Sequence, residues 1–262
     1  MDNLTLIAHI FNEEYLLPFW LEHHSKIFKN GIIIDYLSTD NSVNIIKKYC
    51  PHWKIINTSN VIKGKSFFDT TGLLIDHEVI EIEKTIQGYK ICLNVTEFLF
   101  INDNIKLNEE KQVYKIEQLR GFSNDDYFYP KNNKELFNNI VSFYNDRGVR
   151  HLHNYEYLDY YPGRHWLRHN NYNQTLSNDM IIIYLSTYNI NKYFMKRRLQ
   201  IQYNVPSFLP LNHYEFPSEQ HAIDSYYELK KKSFILDKDH VVYKIINCVL
   251  NKPSELNVIC NM

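Results

Sequence analysis

Residues 4–57 read LTLIAHIFNEEYLLPFWLEHHSKIFKNGIIIDYLSTDNSVNIIKKYCPHWKIIN, and the order of apolar and polar runs in this stretch decides the fold class. Leu4 to Ile10 is a short apolar run suited to a buried strand. After Asn12, Glu13 and Glu14, the chain through Lys29 places Leu16, Leu17, Trp20, Leu21 and Ile27 on one helical face. Pro18 falls near the start, where a missing amide costs least. Gly31 is expected to break the helix. Ile32, Ile33 and Ile34 then form a second strand, β-branched and buried on both faces. Asp35 to Ser42 is a polar loop in which Ser38, Thr39 and Asp40 all favour helix starts. A helix over Val43 to Tyr49 ends ahead of Pro51, and Trp53 to Asn57 is a third strand.

The alternation continues downstream. Phe67 to Thr85 is expected to be mostly helical, with Leu73, Leu74, Val79, Ile80 and Ile82 on its buried side and Gly88 closing it. Tyr89 to Leu93 is a fourth strand that runs into Asn94-Val-Thr-Glu-Phe-Leu99. Strand–helix–strand repetition indicates an α/β fold with a mostly parallel central sheet flanked by helices. No Gly-x-Gly-x-x-Gly follows the first strand and no Walker A run is present, which argues against a Rossmann dinucleotide site and a P-loop nucleotidase. Open α/β sheets bind ligands beyond the carboxyl ends of their strands. Here those ends carry Asn12 and Glu13, Asp35 and Asp40, and Thr96 and Glu97, so three polar loops are expected on one edge.

The second half differs. Val113 to Leu119 reads as a strand, Asp125 to Tyr129 as a polar aromatic loop, and Lys134 to Tyr144 as a helix. Met180 to Tyr184 is apolar, and Asn191 to Tyr203 is a basic amphipathic helix. Helices over Glu219 to Lys232 and Val241 to Leu250 give a mixed helical C-terminal portion. The polar stretch near residues 100–112 is the most visible seam.

Composition narrows the function classes. The 262 residues are 44% hydrophobic and 23% charged, with a net charge of -1, so neither disorder nor a global polycation for nucleic acid is indicated. No apolar run reaches the roughly 18–20 residues of a membrane helix. The opening MDNLTLIAHIF has no basic segment or long apolar stretch, and the expectation is a cytoplasmic, non-secreted protein. Cys50, Cys92, Cys248 and Cys260 form no CxxC pair, which fits free thiols in a reducing compartment. His151, His153, His165 and His169 match no standard zinc spacing. His23 and His24 lie on the first helix, where a structural histidine is the default.

The segment His9 to Pro51 resembles the start of family-2-like glycosyltransferase domains of the GT-A fold. The matching residues are Asn12, Glu13, Leu17, Trp20 and His23, then Asp35, Ser38, Asp40 and Ser42. Leu93 to Phe100, LNVTEFLF, looks like the segment where such enzymes carry D-x-D-E-F-L. Tyr161 to His165 and the Gln220–His221 pair resemble elements of a bacterial and viral subgroup, implying a host-cytoplasm or virion location if viral.

The resemblance implies one GT-A-like domain over residues 1–262, with a nucleotide-binding half at about 1–100 and an acceptor side at about 101–262. It implies a nucleotide-sugar donor, usually UDP-linked, with Mn²⁺ or Mg²⁺, and inverting transfer to an acceptor hydroxyl on a glycan, protein or small molecule. Donor contacts carry over to Asn12, Glu13, Asp35 and Asp40, with Arg164 and His165 set against the diphosphate. Glu97, Asp125 and Asp126 are the candidates for the general base, and Glu97 and His221 for the metal. The two aspartate positions of D-x-D read Asn94 and Thr96 here, and both are poorer ligands for a hard dication. Arg168 and Lys196-Arg197-Arg198 offer further cations. Two alternatives remain open: a GT-A-fold domain that binds sugar or nucleotide without transfer, and a nucleic-acid-binding or structural α/β module.

Overall fold

The computed structural model describes residues 4–59, 72–123, 130–161, 166–168, 171–185 and 219–251. Four parallel strands form its first part: β1 (Leu4–Ile10), β2 (Asn30–Asp35), β3 (Lys54–Asn57) and β4 (Tyr89–Cys92), in the order β3-β2-β1-β4. Ile7 lies beside Ile32 of β2 and Cys92 of β4, which fixes the register on both sides of β1. Helices α1 (Leu17–His24) and α2 (Ser42–Tyr49) join β1 to β2 and β2 to β3. Helix α3 (Gly72–Glu83) leads back to β4.

Side-chain alternation divides the core. Leu6, Ala8, Ile33 and Ile91 pack with Leu16, Trp20, Ile46 and Cys50 of the α1/α2 layer. Ile7, Ile34 and Cys92 face the other way and pack with Val79 of α3, Tyr36, Leu158 and Tyr160. The period of two along each strand thus sends α1 and α2 to one face and α3 to the other.

Gly31 does not end a helix. Helix α1 stops at His24, and Gly31 lies inside β2 beneath an indole; a Cβ there would lie 2.2 Å from Trp53 Cδ2. Only glycine fits under the ring.

The sheet continues through strands of both directions. Strand β5 is Glu97–Ile101 and β6 is Val113–Ser123. Helix α4 (Asn133–Asn138) precedes β7 (Ile140–His153), and β8 (Tyr160–Tyr161) pairs with β9 (Trp166–Leu167) in a separate ribbon. Strand β10 (Gln174–Leu176) and β11 (Met180–Tyr184) complete the sheet, whose order is β3-β2-β1-β4-β7-β6-β11-β5 with β10 beside β6. Pairings β4–β7, β6–β7 and β11–β5 are antiparallel. The sheet is therefore mixed and curled into a half-barrel, not the mostly parallel one expected from the first half.

The helix expected over Lys134 to Tyr144 is corrected to a short helix and the start of a long strand. Asn132 caps α4, its side chain accepting from the Glu135 amide at 2.9 Å. The β-branched and aromatic residues Ile140, Phe143 and Tyr144 pair along β6, and that cross-strand packing overrides helical spacing. Helix α5 (Glu219–Lys231) packs on β7, and α6 (Val241–Leu250) packs against β5 and β11. Among the described residues no helix is long and apolar enough to cross a membrane, and Cys50, Cys92 and Cys248 are free thiols.

Candidate functional site

Strand β1 has a parallel neighbour on each side, and the chain leaves it in one direction to build β2 and β3 before returning on the other side as β4. The loops after β1 and β4 therefore leave the carboxyl edge in different directions, the arrangement at which open α/β sheets bind ligands. The first loop carries Asn12 and Glu13, and the second carries Asn94, Val95 and Thr96.

The loops after β1 and β2 are bonded into one unit. Asn12 has φ 55° and Leu37 φ 59°, both in the left-handed region that side-chain-bearing residues seldom occupy. Such positions cost about 1–3 kcal/mol and persist where surrounding bonds over-determine them. Those bonds are present. The Asn12 amide donates to Ser38 Oγ at 3.1 Å, and Asn12 Oδ1 accepts from the Thr39 and Asp40 amides at 2.8 and 3.3 Å. Asp35 Oδ1 accepts from the Ser38 amide at 3.0 Å and from its hydroxyl at 2.7 Å. The Glu13 amide donates to Ser42 Oγ at 2.9 Å.

Asp40 belongs to the same frame. Its Oδ1 accepts from the Ser42 amide at 2.9 Å and its Oδ2 from the Glu14 amide at 3.0 Å. Asn41, the residue before α2, makes no side-chain cap, so Asp40 serves the helix start from one position earlier. Glu14 returns the bond, its Oε2 accepting from the Asn41 amide at 3.0 Å. The structure thus brings together Asn12, Glu13, Asp35 and Asp40, with Glu13 and Asp35 buried.

Glu97 is placed differently. It is 1% exposed and opens β5, just past the half-buried Asn94 and Thr96. Its Oε1 lies 2.5 Å from Arg150 Nη2 and accepts from Gln118 Nε2 at 2.8 Å. Its Oε2 accepts from Arg150 Nε at 3.0 Å and from the Asn94 amide at 2.8 Å. Its side-chain partners stand on β6 and β7, not on the loops after β1 and β2. Trp20 of α1 secures the same turn, its indole N–H shared between the carbonyls of Asn94 at 3.1 Å and Glu97 at 3.0 Å.

His23 and His24 are structural, as their helical position led us to expect. His24 Nδ1 lies 2.9 Å from the Trp20 carbonyl, and its Nε2 accepts from the Leu99 amide at 3.2 Å. That pair of bonds requires a neutral ring protonated at Nδ1. Burial, reinforced by the neighbouring His23, holds the His24 pKa well below its ordinary 6.5. His23 Nε2 reaches the Leu99 carbonyl at 2.6 Å.

Three polar residues escaped the sequence reading. Gln118 and Arg150 were hidden among the other polar residues of their strands, Glu117 and Arg120 on β6 and His151 on β7. Glu78 of α3 accepts from Tyr36 Oη at 2.9 Å and from Thr58 Oγ1 at 2.6 Å, bracing the ends of β2 and β3 from below. Its signal was the recurrence of acids, Asp76, Glu78 and Glu83, among the apolar residues of α3. A further buried group lies at the other end of α3, where Glu83 Oε1 accepts from Tyr160 Oη at 2.5 Å and lies 3.0 Å from His153 Nε2. His153 therefore belongs to this group and not to a histidine metal site. Among the described residues no group of three or more His, Cys, Asp or Glu is arranged to hold a metal ion.

Asp125, Asp126, Arg164, His165 and the Lys196-Arg197-Arg198 run lie outside the described residues, as does the side chain of His221. Arg168 is exposed, 4.0 Å from Asp159.

No protein-family model matches the chain, and no curated protein matches it. Solved structures of the S. aureus protein TarS do. TarS 1–349 aligns with 87% of this chain and over 72% of its own, at 12% identity and a TM-score of 0.40. The same piece in complex with UDP-GlcNAc gives 11% identity and a TM-score of 0.35 over the same shares. The longer TarS structure aligns with 49% of this chain at 15% identity and a TM-score of 0.32, and this chain spans only 23% of its length. The likeness is weak and partial.

Proposed function

We propose that this chain is a glycosyltransferase that binds a nucleotide sugar, UDP-linked, at the carboxyl edge of the sheet, by the loops after β1 and β4. The observation that carries the reading is the joined pair of loops, with Asn12 and Leu37 held at positive φ beside the buried Asp35. Strained backbone fixed by many bonds at the carboxyl edge of a parallel sheet is how a fold pre-organises a ligand site.

In this reading Asn12, Glu13 and Asp35 meet the nucleoside, whose base N–H and ribose hydroxyls suit carboxylate and carboxamide acceptors. Asp40 holds the frame. Arg164 and His165 are assigned to the diphosphate. Transfer is an inverting displacement. The acceptor oxygen forms the new bond to the anomeric carbon as the carbon–oxygen bond to the diphosphate breaks, and the departing diphosphate takes the electron pair. The acceptor proton passes to a carboxylate, for which Asp125 and Asp126 are the candidates.

The test is calorimetric titration of the purified chain with UDP, GDP and dTDP. Binding of one of them, weakened about tenfold or more in Asp35→Asn, is the expected result; a loss of that size corresponds to about one charge-assisted hydrogen bond. No binding of any nucleotide refutes the proposal. A second reading, binding without transfer, draws support from Asn94 and Thr96. Nucleotide binding with no donor hydrolysis and no transfer to any acceptor tried would favour it.

A further inference from the structure

The residues around the Asn94–Thr96 turn do not suit a divalent cation, and the misfit is specific. Mg²⁺ and Mn²⁺ take hard, mostly anionic oxygen ligands. The turn offers a carboxamide at Asn94 and a hydroxyl at Thr96, both neutral. Its one carboxylate, Glu97, already accepts four bonds from Arg150, Gln118 and the Asn94 amide. To reach a cation, Glu97 would have to leave a guanidinium that is itself buried, and an uncompensated buried charge is strongly unfavourable.

Among the described residues of the edge, two further carboxylates are also engaged. Both Asp40 oxygens hold backbone amides, and Asp35 Oδ1 holds two Ser38 donors. The Glu97–Arg150 pair is neutral as a unit, so the turn adds no net negative charge to attract a dication and none to repel a diphosphate.

We propose that this chain engages a nucleoside diphosphate without a divalent cation, because the carboxylate of the turn that would hold one is committed to Arg150. The proposal rests on the nucleotide-sugar reading above, and its test separates the two. The nucleotide found to bind is titrated into the full chain in EDTA, then in Mn²⁺ and in Mg²⁺. Free Mn²⁺ is followed separately by electron paramagnetic resonance as protein is added. The expected result is an affinity that agrees within about twofold across the three conditions, with no Mn²⁺ withdrawn from solution.

Tightening of about tenfold or more by either metal overturns the metal-free proposal and leaves the nucleotide reading standing. So does one Mn²⁺ held per chain. Absence of nucleotide binding in all three conditions overturns both. A second variant, Asn94→Asp with Thr96→Asp, is expected to gain a metal response that the parent lacks. Unchanged metal-free binding in that variant overturns the placement of the turn at the diphosphate.

Discussion

Arg150→Met tests the centre of the argument. The Arg150 side chain is 8% exposed and that of Glu97 1% exposed, and two nitrogens of the guanidinium engage the two carboxylate oxygens at 2.5 and 3.0 Å. Methionine keeps much of the apolar stem but removes the charge and all of its donors. Glu97 would then retain only Gln118 and the Asn94 amide, with water excluded. Removing one partner of a buried pair costs about 3–5 kcal/mol, several times the value of an exposed pair. At about 2–4 °C per kcal/mol for a chain near this size, the melting temperature should fall by about 6–20 °C. Urea unfolding gives the free energy directly. Adding Glu97→Gln to Arg150→Met should recover a large part of the loss, because the stranded charge is gone, the new carboxamide oxygen can accept from the Asn94 amide, and its NH2 can donate to a Gln118 side chain turned to present its oxygen. An Arg150→Met cost below about 1 kcal/mol, in the range of a surface pair, would overturn the buried-pair account. It would mean that Glu97 reaches water in solution, and the metal-free proposal would lose its physical basis.

Gly31→Ala should destabilise by about 1–3 kcal/mol, because the new methyl group falls 2.2 Å from Trp53 Cδ2; equal urea midpoints for variant and parent would overturn the packing account. His24 supplies a pH dependence. Its folded pKa lies well below 6.5, so below 6.5 the unfolded chain takes up a proton that the folded chain does not. Stability from this residue is intact above pH 6.5 and falls as the pH drops below it, with a slope of up to about 1.4 kcal/mol per pH unit until the folded ring titrates. Urea unfolding of the parent and of His24→Asn across that window should show the slope only in the parent. Trp20→Phe deletes the indole donor shared by the Asn94 and Glu97 carbonyls. The expected cost is about 1–3 kcal/mol together with weaker nucleotide binding; unchanged affinity would show that the turn is held without Trp20.

The first half was legible because each element there is specified locally. Leu4 to Ile10, Ile32 to Ile34 and Trp53 to Asn57 are largely apolar runs bounded by polar loops, and β1, β2 and β3 fall on them, β3 starting at Lys54. The second half was less legible because long-range pairing decides it. Ile140 to Tyr144 fits a helix in isolation, and only the partner strand β6 draws it into β7. The site divides along the same line. Asn12, Asp35 and Asp40 stand at the ends of readable strands, and their neighbours in space are within one βαβ unit. Gln118 and Arg150 offered no such cue, since a polar side chain in a strand reads as solvent-facing until an opposite charge is found beneath it.

That division bears on how the site is controlled. Three elements distant in sequence hold the Asn94–Thr96 turn: α1 through Trp20, β6 through Gln118 and β7 through Arg150, the last two by way of Glu97. The sheet order explains the convergence. The chain leaves β4 at the middle of the sheet and re-enters at its far edge as β5, while β7 lies next to β4 and β6 next to β7. The turn therefore spans the place where the parallel part of the sheet gives way to the mixed part. Its position depends on strands from the second half as much as on β4 itself. Residues far along the chain can thus set the geometry of a turn that the first half supplies, and substitutions at 118 or 150 should alter nucleotide binding without touching the nucleotide.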